Sequence, residues 1–134
     1  VGLSDGSYAQ LLRLRTGLRR FERWSAQQAQ AAGLTATQHQ LLLAIRGHSD
    51  PRGPTISDIA DYLLLQHHSA VGLIDRAEAA GLVHRARTDT DQRVVRLRLS
   101  ELGAQCLEGL TALHVEELRR LGPQLTALWP PADD

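Results

Sequence analysis

The chain has 134 residues, 43% of them hydrophobic, which suits one domain with a buried core. Fifteen basic and fifteen acidic side chains leave no formal net charge, which counts against a nucleic-acid binder because such proteins usually carry a basic excess. No apolar run approaches the ~20 residues of a membrane helix, and no signal-peptide pattern opens the chain. The single Cys106 excludes an internal disulfide, so a reducing cytoplasm is the expected setting.

Ser7 to Ala32 reads as a long helix. Leu11, Leu14, Leu18, Phe21 and the Ser25–Gln28 stretch recur at spacings of three and four, with Arg13, Arg20 and Arg23 on another face. Gly33 stops it. Thr35–Gln38 ("TATQ") is a capping box that opens a second helix ending at Gly47. The His48–Pro54 loop holds two prolines and a glycine, and Thr55–Asp58 ("TISD") caps a short third helix with Ile56, Ile59, Ala60 and Leu63 facing inward. After a break near Leu64–Gln66 comes a fourth helix, His67 to Gly81, with Ala70, Leu73, Ile74 and Ala77 as its buried stripe. Val95, Leu97 and Leu99 then alternate with Val94, Arg96 and Arg98, the period of a strand with one wet face, and "LVHRAR" is its partner. Ser100 caps a long helix with Leu102, Cys106, Leu110, Leu113, Leu118 and Leu121 on its apolar side; Gly122–Pro123 is expected to break it before a short helical tail.

A short helix, tight turn and second helix followed by a hairpin is the winged helix-turn-helix order. With Ala70, Leu73, Ile74 and Ala77 inward, helical geometry puts His68, Gly72 and Asp75 outward, flanked by Ser69, Val71 and Arg76. Gly72 costs about 1 kcal/mol relative to Ala in a helix interior, and its missing side chain would let a groove edge approach. Charge is distributed to match. Between Gln66 and Arg98, six Arg stand against Asp75, Glu78, Asp89 and Asp91, so this segment is +2 and the remainder −2. All the basic side chains are Arg. Coding bias is the ordinary cause, but Arg also brings a planar fork suited to phosphate and guanine.

From about Leu34 to Gly103 the chain resembles the MarR (multiple antibiotic resistance regulator) family of bacterial transcription factors. The residues that carry the likeness are "TISDIADYL", "HHSAVGLIDRAEAAGLV" and above all "DTDQRVVRLRLSELG". In the last, Asp91, Gln92, Arg93, Leu97, Leu99, Ser100 and Gly103 stand where the family has an Asp-x-Arg wing, an alternating strand and a Ser/Thr-x-x-Gly helix start. The resemblance implies one mainly α unit over 1–134 with a small two-stranded wing: a DNA-binding lobe at 35–99 and dimerisation helices at 7–33 and 100–129. It implies a repressor that binds a pseudo-palindromic duplex as a homodimer. The fourth helix would enter the major groove and the wing the neighbouring minor groove. On that reading His67, His68, Ser69, Val71, Gly72, Arg76, Arg87, Gln92 and Arg93 contact DNA. Arg93 is the wing-tip side chain, suited to a narrow groove of concentrated negative potential. Arg85, Arg87, Arg96 or Arg98 stands beside phosphate, and Asp91 and Arg85 support the wing. Gly72 departs from the family, which often has a larger polar or basic residue there. His67–His68 and the short tail after Pro123 depart from it too.

Other chemistry is weighed against plainer roles. Phe21, Trp24 and His39 would wall a pocket for a small effector, an aromatic anion by analogy with the family's sensors, or else belong to core or dimer interface. Some relatives sense oxidants through a cysteine near the first helix, where this chain has none; Cys106 reads as an inert buried thiol. His39 and His114 converge only if two helices meet, and no His pair has the i, i+4 spacing of a helical metal pair, so no metal or cofactor is expected. No hydrolytic acid pair, phosphate loop or nucleophile elbow occurs, so no enzyme is expected. The rival readings are a winged-helix module for protein contact and a thiol-based redox regulator.

Overall fold

The computed structural model describes residues 2–88 and 91–128; the side chains of residues 88, 91–93 and 128 lie outside that description. Element order is α1 (Asp5–Ala31), α2 (Ala36–Gly47), α3 (Ile56–Leu63), α4 (His67–Ala79), β1 (Val83–Thr88), β2 (Asp91–Leu99) and α5 (Glu101–Leu128). The chain is thus mainly helical with one antiparallel hairpin, in register from Val83 opposite Leu99 to Arg87 opposite Val95. Both expected capping boxes form: Thr35 with Gln38 and Thr55 with Asp58 exchange side-chain and backbone hydrogen bonds, so α2 and α3 start where their sequences say. The first helix starts earlier than its apolar stripe, because Ser4 Oγ accepts from the Ser7 N–H and sets the boundary.

α2, α3 and α4 pack as a tripod on one core. Leu41, Leu42, Ile45, Ile59, Ala70, Leu73, Ile74 and Ala77 are buried together with Leu97 of the hairpin and Leu107 and Leu110 of α5. The whole inward stripe read for α4 is buried. The turn between α3 and α4 is made by Leu64 in the left-handed conformation (φ 54°), with the Leu65 N–H donating to Ala60 O at 2.9 Å. A left-handed non-glycine residue costs roughly 1–2 kcal/mol, and Leu64 recovers little by packing because its side chain is 91% exposed.

Two glycines let the wing dock. Gly53 (φ 92°) lies so close to Leu97 O that no Cβ fits, and the Leu97 N–H donates to Pro54 O at 2.9 Å. Gly103, in the first turn of α5, lies equally close to Leu82 O. Ser100 organises this second junction: its Oγ donates to Gly81 O at 2.6 Å and accepts from the Gly103 N–H at 3.0 Å. The Ser-x-x-Gly pattern therefore has a steric cause, since the helix start abuts the backbone that leads into β1.

Two expectations for α5 need correcting. The helix runs through Gly122–Pro123 to Leu128 instead of breaking. Proline's fixed φ is helical, so the helix forgoes one backbone hydrogen bond, while Thr126 Oγ1 donates to Gly122 O at 2.9 Å and Leu125 lies over Gly17 of α1. The buried stripe uses Gly103, Leu107 and Leu110, whereas Leu102, Leu113 and Leu118 are exposed. Leu11, Leu12 and Leu18 of α1 are exposed as well, so both long helices carry apolar side chains that this chain alone does not cover.

Candidate functional site

The tripod leaves one face of α4 outside. His67, His68, Ser69, Asp75 and Arg76 are exposed, and Val71 and Gly72 are partly so. Apart from His67, these are the residues the sequence placed on or beside the outward face. The N-terminus of α4 has no side-chain cap and no acid in its first turn, which leaves its N–H groups unopposed by a carboxylate. Arg76 folds back along the helix, and its Nη1 sits 3.2 Å from where a Cβ on Gly72 would be.

The hairpin is tied to α4 by Arg85. Its Nη2 donates to Asp75 Oδ1 and its Nη1 to Glu78 Oε1, both at 2.6 Å, with the guanidinium 27% exposed. Arg85 thus joins β1 to two carboxylates of the helix, a partnership that sequence spacing did not indicate. Arg96 is the clear departure from the phosphate-facing expectation. The His48–Pro54 loop folds over that side of β2; Arg96 Nη1 donates to Gly53 O at 3.2 Å and stands 3.9 Å from Asp50. Its Nε is buried without a hydrogen-bond partner among the described residues. Asp50 is itself gripped by Arg52, whose hydrogen bonds hold its carboxyl well below the usual range. Arg87 and Arg98 are exposed on the hairpin. The expected roles of Asp91, Gln92 and Arg93 fall on side chains outside the described residues.

A second constellation lies where α1, α2 and α5 meet. His39 of α2 and His114 of α5 bring their rings to 4.7 Å between centroids, and Trp24 and Phe21 of α1 stand 4.8 and 5.9 Å from the His114 ring. The Leu110 carbonyl can only accept, so His114 Nδ1, 2.7 Å away, carries the proton in that bond. In the neutral ring, Ser25 Oγ then donates to His114 Nε2 at 2.6 Å. Burial, and next the neighbouring His114, push the His39 pKa below its ordinary value. A cavity of about 680 Å³ opens here, lined among others by Phe21, Glu22, His39, Leu43, His114 and Leu118. Of the three expected pocket residues, Phe21 and His39 line it. Trp24 lines a neighbouring groove of about 720 Å³ between α1 and α5 that Phe21 shares. Ser25 and His114 complete the cluster, and sequence reasoning raised only His114, as a metal ligand. No group of three His, Cys, Asp or Glu able to hold a metal forms among the described residues. No helix among them is long and apolar enough to cross a membrane.

A tripod with one uncovered helix, a short left-handed turn before it and a hairpin strapped to its end define a winged helix-turn-helix protein. Residues 32–94, from just before α2 into the first part of β2, match the model of the MarR family. The HTH-type transcriptional regulator PecS of Dickeya dadantii (strain 3937) is 27% identical over 86 residues, 64% of this chain and 52% of PecS, so the chain spans about half the length of that relative. Among solved structures, AbsC, a MarR family transcriptional regulator from Streptomyces coelicolor, superposes with a TM-score of 0.75 at 23% identity, covering 97% of this chain and 94% of AbsC. A MepR–DNA complex from S. aureus superposes with a TM-score of 0.71 at 24% identity, covering 88% and 84%. Through its winged lobe the chain is similar to the MarR family.

Proposed function

We propose that this protein is a transcriptional repressor that binds a pseudo-palindromic DNA site as a homodimer in the cytoplasm. The observation that carries the reading is the uncovered face of α4, with an uncapped N-terminus and Arg76, set beside a hairpin that displays Arg87 and Arg98. The likeness of fold to MepR in complex with DNA supports it. A second copy would cover Leu11, Leu12, Leu18, Leu113 and Leu118, which exceed what a lone chain leaves exposed without reason. Two-fold symmetry would then present two α4 helices to successive major-groove segments. Arg93 is assigned to the minor groove, with Gln92 beside it and Asp91 orienting a neighbouring Arg.

The cavity at His39 and His114 is the proposed effector site, because it joins the winged lobe to both long helices. A ligand there can favour a dimer whose recognition helices are misplaced. Among the described residues its wall holds Phe21, Leu43 and Leu118 and one carboxylate, Glu22, with no Arg or Lys. That lining favours an uncharged or cationic aromatic over the aromatic anion that the family likeness implied.

A salt series tests the function. The DNA flanking the protein's own gene is searched for an inverted repeat, and affinity is measured for that duplex and for a scrambled one of equal length. Log affinity for the repeat should fall with log salt at a slope of roughly −5 to −7, near −0.9 for each phosphate neutralised. The scrambled duplex should bind weakly, because the net charge of zero offers little general attraction. Equal affinity for both, or none for either at low salt, would favour a protein-contact role for the wing.

A further inference from the structure

We propose that Arg76 is the side chain that sets this protein's base preference, reading one guanine in each half of its DNA site, with Gly72 and Arg85 holding it available. The proposal rests on the DNA-binding reading above. Three observations converge on it. First, Arg76 Nη1 lies 3.2 Å from the position of a Gly72 Cβ, so the guanidinium reaches back one turn over a bare stretch of helix. Helical side chains lean toward the N-terminus, and four residues correspond to about 6 Å along the axis. That reach carries the fork from the C-terminal half of α4 toward His68, into the part of a recognition helix that meets base edges.

Second, the acids of its own helix that would compete for the fork are occupied. Asp75 and Glu78 are the carboxylates of α4, and Arg85 holds both at 2.6 Å. Helical geometry sets them on the flank toward β1 and Arg76 beyond Gly72 on the other. Among the described residues Arg76 forms no ion pair or hydrogen bond, which leaves its donors for a ligand. Third, the missing side chain at residue 72 removes the bulk that would hold a groove floor away from the guanidinium. An arginine fork presented flat in a major groove matches guanine, whose O6 and N7 accept two hydrogen bonds at once. Arg85, by contrast, acts through Asp75 and Glu78; it is a positioning residue that engages both carboxylates and offsets part of their negative charge beside the DNA.

The test is selection from a random duplex library, followed by competition between single-base variants of the enriched site. Wild type, Arg76→Ala, Arg76→Lys and Arg85→Gln are compared, with circular dichroism as the folding control. Wild type should enrich an inverted repeat with a strongly preferred guanine in each half. Arg76→Ala should lose about ten- to a hundredfold of discrimination at that guanine and little elsewhere. Arg76→Lys, which keeps the charge but not the fork, should also flatten that position while leaving the salt slope unchanged. Arg85→Gln frees Asp75 and Glu78 to compete for the fork, so it should weaken discrimination at that guanine as well as lower affinity for all duplexes. A profile that Arg76→Ala leaves intact, with affinity lowered equally for every sequence, would make Arg76 a phosphate contact and overturn the proposal while DNA binding stands. If wild type enriches no sequence, both readings fall.

Discussion

Gly103→Ala places one methyl group where the fold has no room for it. A Cβ at this position would lie 3.0 Å from the Leu82 carbonyl carbon and 3.4 Å from its Cα, with the carbonyl oxygen nearer still. Contact distance between carbons is about 3.5–4.0 Å, so backbone must move, and no flexible side-chain tip can yield instead. Leu82 is 3% exposed; its N–H donates to Ala77 O and its carbonyl accepts from the Ser100 N–H, both at 3.0 Å. A shift that relieves the clash strains those bonds. Overpacking costs roughly 1–3 kcal/mol and a buried unpaired backbone group roughly 1–3 kcal/mol more. Against this, Ala gains about 1 kcal/mol of helix propensity. The net expectation is a loss of about 1–5 kcal/mol, or on the order of 10 °C in Tm at mid-range for a chain of this size. The assay is thermal unfolding followed by circular dichroism, at one fixed protein concentration because assembly shifts Tm. Gly47→Ala is the control: it sits at the end of α2 with nothing within 4 Å, and should change stability by less than about 1 kcal/mol. Equal Tm values for the two variants would refute the steric account of the Ser-x-x-Gly start.

The remaining predictions concern protonation and assembly. His39 has its folded pKa lowered, so the unfolded chain binds the proton more readily. Its contribution to stability is therefore intact above the unfolded value of about 6.5 and is lost as pH falls below it. His39→Leu should shrink the drop in Tm between about pH 7.5 and 5.5, and superimposable pH profiles would remove His39 from the account. Light scattering at micromolar concentration should give about twice the 14.7 kDa of one chain. A monomer alone would leave the exposed leucines of α1 and α5 unexplained.

Much of this architecture was legible because it is local. Capping boxes at Thr35 and Thr55, the inward stripe of α4 and the alternation of Val95, Leu97 and Leu99 are each set by neighbours a few residues apart. What escaped depends on distant chain. Arg96 looked solvated from its place in the strand, yet the loop at Gly53, 43 residues earlier, covers it. Ser25 and His114 are 89 residues apart, and only the packing of α1 on α5 makes them partners. Arg85 reads from the sequence as wing support or a phosphate neighbour, but nothing in a strand pattern reveals which helix its side chain will meet. Pro123 misled for a different reason: a proline late in a helix costs one hydrogen bond, and contacts elsewhere along α5 outweigh it.

The central claim, that two copies of α4 and the wing read one DNA site, is tested most directly by hydroxyl-radical footprinting on the enriched duplex. The account predicts two symmetric sets of protected sugars whose centres lie about one helical turn, ~34 Å, apart, with further minor-groove protection outside them from the two wings. Protection of a single asymmetric patch, or none at concentrations that saturate binding, would contradict it.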